Sequence, residues 1–340
     1  MITIHCGLHK TGTSSIQLAL ELLRNSTRRV VITPDPKDDR TEQGWSDRIK
    51  ALVHTSDVIF SDENLLGAPD DGYQLAPKRV AMLRTALSGV PYRLVIYLRP
   101  QLDWLPSVYL QAVQEGRTSR SEEFWTGIKD QPLLTWSPLL DLLRNESGAE
   151  RVIVRAHTRS RDAVTDFFQV CSLENPPRTG KTMIRINASI AAVQAPVLIA
   201  LNELPDLTPY QRGQFRHVFQ QVLAPGAAVG LSPFPESVQR QIVEKFWDDW
   251  LVVADSLVSS DPEEAQVFRT EARRWLEPLL PFGGASLDDP SVQQEALRSL
   301  QLLSLRLDVE EPSLLKRLTI KLRDDPAGVR QAFLRAIRLL

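Results

Sequence analysis

The sequence has little cysteine, no long apolar segment and almost no net charge. Its two cysteines, Cys6 and Cys171, provide neither a disulfide framework nor a metal-ligand spacing. No apolar run approaches the roughly 18 residues of a membrane span, and the opening residues have neither a basic n-region nor an apolar h-region, so we expect no secretory leader. We therefore expect a cytoplasmic protein. A net charge of −2, from 40 basic and 42 acidic side chains, argues against a nucleic-acid partner.

Apolar runs of strand type alternate with helical patterns through the first half of the chain. The runs cover residues 1–6, 28–32, 57–60, 92–98 and 151–155. Helical patterns lie between and after them, at 16–23, 45–52, 77–88, 104–110, 138–143 and 162–171. This order predicts an α/β fold, with a P-loop-NTPase-like parallel sheet flanked by helices on both faces.

The second half of the chain predicts helices. Residues 188–202 are helical in pattern, and Ser232 with the following proline indicates an N-cap before an amphipathic helix that ends near Leu257. We expect one domain over residues 1–260 and an all-helical C-terminal extension over 261–340. The last thirty residues hold seven Lys/Arg against three Asp/Glu. These helices either form a solvated basic face or make a peripheral membrane contact.

A polar turn separates the first strand from the first helix. It carries Lys10, Gly7, Gly12 and a run of hydroxyl side chains. Backbone N–H groups of such a turn and of the helix N-terminus point at one spot, where a lysine adds a full positive charge. The turn therefore predicts a phosphate site. It is not a Walker A motif, because no Lys-Ser/Thr pair follows its last glycine.

This turn resembles the 5′-phosphosulfate-binding loop of sulfotransferases that use 3′-phosphoadenosine 5′-phosphosulfate (PAPS). The matching run is Lys10, Thr11, Gly12, Thr13 and Ser14, and the preceding His9 is common in the bacterial carbohydrate-directed branch. The resemblance implies that amides and hydroxyls from Thr11 to Ser15 bind the 5′-phosphate. It also implies that Lys10 stabilises the bridging oxygen and the sulfuryl group, and that no metal is needed.

A second pair of residues matches the 3′-phosphate motif of the same family. Arg99 ends the strongest predicted strand, and Ser107 follows eight residues later in the next predicted helix. An arginine presents a fork of donors suited to phosphate, and a serine near a helix start adds another. The resemblance implies that Arg99 and Ser107 bind the 3′-phosphate of PAPS. A salt bridge at the strand end is the structural alternative for Arg99.

The general base is expected just past the third strand. Asp62 and Glu63 resemble a glutamate-containing run of the family, in which a glutamate removes the acceptor proton, and we favour Glu63. His9 is the competing base. Glu63 could instead form a structural ion pair or cap the next helix, and His9 could be structural.

The combined motifs imply a sulfotransferase that moves a sulfuryl group from PAPS to a hydroxyl or amine of a small-molecule or glycan acceptor, with carbohydrate preferred. An ATP-dependent phosphotransferase of P-loop fold and a non-catalytic nucleotide-binding protein are the alternatives. Lys181 and Arg185 precede an Asn-x-Ser segment that begins at Asn187. These residues either cover the nucleotide or belong to the N-cap of the following helix.

Overall fold

The centre of the protein is a parallel sheet of five strands. The computed structural model describes residues 1–24, 30–33, 41–54, 57–173, 190, 192–203 and 231–281. Its strands are β1 (Ile2–Cys6), β2 (Val30–Ile32), β3 (Val58–Asp62), β4 (Tyr92–Leu98) and β5 (Arg151–Ala156), in the order β2-β3-β1-β4-β5. All pairings are parallel. The predicted α/β class with a mostly parallel sheet is confirmed.

Ten α-helices lie within the described ranges. They are α1 (Thr13–Leu23), α2 (Glu42–Leu52), α3 (Ala76–Ala86), α4 (Gln101–Gln114), α5 (Ser121–Ile128), α6 (Trp136–Glu146), α7 (Ala163–Val170), α8 (Ala195–Asn202), α9 (Glu236–Leu257) and α10 (Pro262–Arg273). The pattern did not predict α5. The prediction that Ser232 caps α9 is wrong, because the carbonyl of Pro235 accepts the first bonds of that helix and Glu236 begins it.

Strand β1 lies between β3 and β4, and all five of its residues are buried. The connection from β1 to β2 crosses the sheet in one direction, and the later connections run in the opposite direction. Because crossovers are right-handed, α1 and the helices after β2 and β3 cover opposite faces. Helix α1 packs against α7, and α3 packs against both α2 and α6. The loops that leave β1 and its neighbours therefore diverge at the carboxyl edge, where α/β sheets place their ligands.

The chain divides into two compact units. The first contains Met1–Trp104, Ile128–Ile186 and Val243–Glu277, and the second contains Leu105–Gly127, Asn187–Ile242 and Pro278–Leu340. Helix α10 thus belongs to the unit that holds the sheet. Residues 282–340 lie outside the described part, so the division at residue 260 stays a prediction. Among the described helices, none is both long and apolar enough to cross a membrane.

The first unit has a buried core on one face of the sheet. Helices α1 and α7 contribute to it together with β2, β3 and β4, through residues Ile16, Leu20, Leu23, Val31, Ile59, Val95, Tyr97, Phe167, Phe168 and Cys171. His5 of β1 lies fully buried against the rings of Tyr97 and Phe167, and its Nδ1 is 2.9 Å from the hydroxyl of Ser61. An imidazole in this position is part of the core.

The buried His5 makes stability depend on pH. Burial lowers its pKa from 6.5 to about 3, so below pH 6.5 the unfolded chain takes up a proton that the folded chain refuses. The free energy of unfolding then falls by about 1.4 kcal/mol for each pH unit between 6.5 and 3. We expect His5→Asn, which keeps a polar atom near Ser61, to gain stability relative to the unmodified chain as pH falls through this window. Urea denaturation from pH 8 to 4 measures the difference, with exposed His54→Asn as control; a pH-independent difference would contradict the prediction.

Candidate functional site

The polar residues of the first unit converge at the carboxyl edge of the sheet. The residues that directly follow four of the strands are Gly7, Glu63, Arg99 and His157. The Gly7 N–H donates to the carbonyl of Asp62 at 3.2 Å, and the His157 N–H donates to the carbonyl of Leu98 at 2.7 Å. These backbone hydrogen bonds continue past the strand ends; one joins the start of the β1 loop to the end of β3, and the other joins the start of the β5 loop to the end of β4.

The loop after β1 is tightly folded. Lys10 and Gly12 both have positive φ values, 62° and 84°, and α1 begins at Thr13, directly after Gly12. Gly7 passes so close to Thr13 that an added Cβ would lie 2.3 Å from its Cγ2. The loop therefore needs glycine at residue 7, and it holds a non-glycine residue, Lys10, in a backbone conformation that costs free energy.

Two of the predicted phosphate-binding hydroxyls hold the loop together. Thr11 and Thr13 are buried, and both hydroxyls donate to the carbonyl of Leu8, at 2.6 and 3.0 Å. Ser14 and Ser15 are half-buried in the first turn of α1. Both threonine hydroxyls therefore donate their protons within the loop. An anion bound here would accept from the backbone amides or from the hydroxyls of the two serines.

The N-terminus of α1 presents a positive end toward this edge. Gly12 occupies the N-cap position without a side-chain cap, and the first turn of α1 holds no acidic residue. The first amides of a helix point outward without partners in the helix, so they attract an anion. The geometry at the start of α1 therefore suits a phosphate group.

Two buried tryptophans fix the backbone on either side of the site. The indole N–H of Trp104 donates to the carbonyl of His9 at 2.8 Å, and that of Trp136 donates to the carbonyl of Arg99 at 3.0 Å. The two indoles pack edge to face with centroids 5.0 Å apart, and Tyr73 stacks on Trp104. These rings act as positioning residues for the loop. Residue spacing did not single them out, because their partners are 95 and 37 residues away along the chain.

Arg99 joins the second predicted motif to the first. Its Nη1 donates to the carbonyl of Lys10 at 3.3 Å, across 89 residues of sequence, and burial lowers the pKa of its guanidinium. The structure therefore brings Arg99 and the β1 loop together, as the two motifs require. Ser107 is half-buried in α4 and belongs to the second unit.

Further basic side chains surround Arg99. Arg159 and Arg274 both lie near enough to oppose its charge. Arg159 donates to Oδ1 of Asp103 and Arg274 forms an ion pair with Oδ2, each at 3.2 Å. His157 is also adjacent, and burial together with the charge of Arg99 lowers its pKa to about 4. Sequence patterns missed Arg159 and His157, although their position just after β5 is where a parallel sheet places functional residues.

The two carboxylates after β3 have different environments. Asp62 is buried; one of its oxygens accepts from the Asn64 N–H at 2.8 Å, and the other lies 3.7 Å from Arg48. Glu63 is partly exposed and lies near the buried phenol of Tyr73, whose pKa is raised by burial and by this charge. Asp62 therefore stabilises the turn, and Glu63 is the more accessible carboxylate.

His9 lies beside a second acidic segment. Its side chain is buried, and its ring interacts electrostatically with Asp71, a carboxyl whose pKa burial raises.

Lys181, Arg185 and Asn187 lie outside the described residues. Comparisons of the chain with protein-family models, with characterised proteins and with solved structures give no match. The parallel sheet and the polar residues at its carboxyl edge define an α/β protein with a candidate anion site.

Proposed function

We propose that this protein is a PAPS-dependent sulfotransferase that acts on a hydroxyl or amine, with a carbohydrate as the favoured acceptor class. The observation that carries the proposal is the 3.3 Å contact between the Arg99 guanidinium and the Lys10 carbonyl. A nucleotide with phosphates at both the 5′ and 3′ positions needs two cationic sites within reach of each other. The choice of carbohydrate rests on the sequence resemblance at His9.

The β1 loop would bind the 5′-phosphosulfate. The amides at the start of α1, with Ser14 and Ser15, would hold the phosphate, and Thr11 and Thr13 would keep the loop in shape. The ammonium group of Lys10 would stabilise the bridging oxygen. Arg99 would bind the 3′-phosphate.

Sulfuryl transfer then follows from these positions. The acceptor oxygen or nitrogen forms a bond to sulfur while the bond from sulfur to the bridging oxygen breaks, and the electron pair leaves with adenosine 3′,5′-bisphosphate. Lys10 stabilises the charge that develops there. Glu63 takes the proton from the acceptor, and His9 orients the acceptor or the sulfuryl group.

The proposal extends to the finer features of the fold. The proposed phosphate loop follows the central strand β1, where the strand order reverses, and such a reversal is where open α/β sheets bind ligands. We propose that the sheet is of the P-loop type. Helix α10 and the helical turn at Arg274–Leu276 lie within the proposed extension over 261–340, and both belong to the unit that holds the sheet. A cytoplasmic location and a peripheral membrane contact through the basic C-terminal helices are parts of the same proposal.

Calorimetry with nucleotides tests the function directly. We expect the protein to bind adenosine 3′,5′-bisphosphate more tightly than ATP, because Lys10 precedes Gly12 and the loop lacks the Lys-Ser/Thr pair of ATP-binding P-loops. Tighter binding of ATP would overturn the proposal in favour of a phosphotransferase. Binding of the bisphosphate without sulfuryl transfer to any of a panel of glycans from labelled PAPS would favour a non-catalytic nucleotide-binding protein.

Replacing Lys10 tests the loop. Charge-assisted contacts contribute about 1.5–3 kcal/mol, so we expect Lys10→Ala to weaken bisphosphate binding by about 10- to 150-fold. Lys10→Gly should weaken it as much while relieving the positive φ, which separates loss of the charge from backbone strain. Exposed Lys50→Ala is the control of equal charge. Unchanged affinity in both Lys10 variants, measured by calorimetry, would place the phosphate elsewhere.

A further inference from the structure

Asp103 links two arginines beside the candidate site. Its Oδ1 accepts from Nη2 of Arg159 and its Oδ2 lies against Nη2 of Arg274, each at 3.2 Å. Arg274 also holds Glu271 at 2.9 Å. The cluster adjoins Arg99, which in turn contacts the carbonyl of Lys10. Arg99, Arg159 and Arg274 therefore lie close enough for their charges to interact, with Asp103 between Arg159 and Arg274.

The two arginines on Asp103 are held to different degrees. The side chain of Arg159 is 72% exposed, whereas that of Arg274 is 24% exposed and lies between two carboxylates. Exposed ion pairs of the Arg159 kind change an equilibrium by about fivefold at most. Arg159 can therefore leave Asp103 at little cost, while Arg274 stays in place and keeps Asp103 oriented.

We propose that Arg159 is a ligand of the nucleotide's 3′-phosphate, and that Asp103 holds this arginine beside Arg99 until the nucleotide binds. The inference rests on the proposed function and adds to it a residue that determines nucleotide specificity. A phosphate monoester carries a charge of about −1.5 to −2 and three acceptor oxygens, so it attracts a guanidinium more strongly than a single carboxylate does. Arginine also matches phosphate with two parallel N–H donors.

The proposal gives Arg159 and Asp103 opposite effects. Removing Arg159 removes a phosphate ligand, whereas neutralising Asp103 removes both a competing partner and a negative charge beside the phosphate. A structural ion pair behaves differently, because breaking it from either side has the same effect. The sign of the change in affinity therefore separates the two roles.

The test compares adenosine 3′,5′-bisphosphate with adenosine 5′-monophosphate by calorimetry. We expect Arg159→Ala to weaken bisphosphate binding by about tenfold or more, as a lost charge-assisted contact does, and to leave monophosphate binding within about twofold. Asp103→Asn should tighten bisphosphate binding by up to about fivefold, and Arg159→Lys should fall between Ala and the unmodified chain. Arg269 and Asp255 form another surface arginine–carboxylate pair at 2.8 Å, so Arg269→Ala and Asp255→Asn are the controls.

The outcomes distinguish this inference from the proposed function. If the unmodified chain binds the bisphosphate no better than the monophosphate, the proposed function fails and the inference fails with it. If the chain prefers the bisphosphate but Arg159→Ala changes binding of both nucleotides equally, or of neither, the inference alone is overturned. Weaker bisphosphate binding in both Arg159→Ala and Asp103→Asn would also overturn it, since that result describes a structural pair.

Discussion

Replacing Glu63 with glutamine is expected to lower the rate of sulfuryl transfer by about 10²- to 10⁴-fold, the range of a lost general base. The affinity for adenosine 3′,5′-bisphosphate should stay within about twofold of the unmodified chain, because Glu63 is proposed to contact the acceptor and not the nucleotide. Glutamine keeps the size and polarity of the side chain and removes its ability to take a proton. The measurement is transfer of label from PAPS to an accepted glycan, with calorimetry of the bisphosphate alongside.

A second variant separates the two candidate bases. His9→Gln removes the competing base, and we expect a smaller loss of rate from it than from Glu63→Gln. Glu150→Gln, at an exposed position before β5, is the control for loss of one negative charge. A full rate in Glu63→Gln with a large loss in His9→Gln would assign the proton transfer to His9 and leave Glu63 a structural role.

The sheet could be predicted from the sequence because its strands are buried on both faces. A parallel strand between two layers of helices must be apolar throughout, and Tyr92–Leu98 is the clearest example. Helix α5 could not be predicted in this way. It is eight residues long and contains Gly127 and Thr126, both poor helix formers. Within its unit, the indole N–H of Trp125 donates to the side chain of Gln241 at 2.8 Å. Contacts between residues so far apart in the chain cannot be predicted from the local sequence pattern.

The start of α9 shows how a correct signal can be assigned to the wrong position. Ser232 does act as a local cap, since its hydroxyl oxygen accepts from the N–H of Phe234 at 3.1 Å. That bond closes a turn, and the helix begins only after Pro235. Two prolines within three residues offer two first-turn positions, and sequence alone does not choose between them.

Local pattern could predict which residues follow the strands. Lys10 and Arg99 follow strands that local pattern locates, so the carboxyl-edge rule brings them together. The groups that position them were not predictable, because Trp104 reaches His9 across 95 residues and Arg159 reaches Asp103 across 56. Such contacts depend on side-chain direction in the folded state, which residue spacing does not specify.

Replacing Glu264 with alanine is expected to destabilise the first unit by about 3–5 kcal/mol, the cost of removing one partner from a buried ion pair. Glu264 is 1% exposed, lies 2.8 Å from both Arg155 and Arg161, and accepts the N–H of Ala156 at the end of β5. Urea denaturation measures the loss. The exposed pair of Asp255 with Arg269 supplies the control, since Asp255→Asn should cost about 1 kcal/mol at most.

A double variant shows whether charge balance is the cause. Arg155 and Arg161 face two buried carboxylates, Glu264 and Asp166, and Arg155 also lies 3.4 Å from the partly exposed Asp261, so removing Glu264 leaves two cations with one buried anion. Removing Arg155 as well restores one of each. We therefore expect Arg155→Met combined with Glu264→Leu to be more stable than Glu264→Ala, because apolar replacements of a buried pair are often neutral. A double variant less stable than the single one would contradict this expectation. It would show that the packing of Arg155 contributes more to the stability of the end of β5, which precedes His157 and Arg159, than charge balance does.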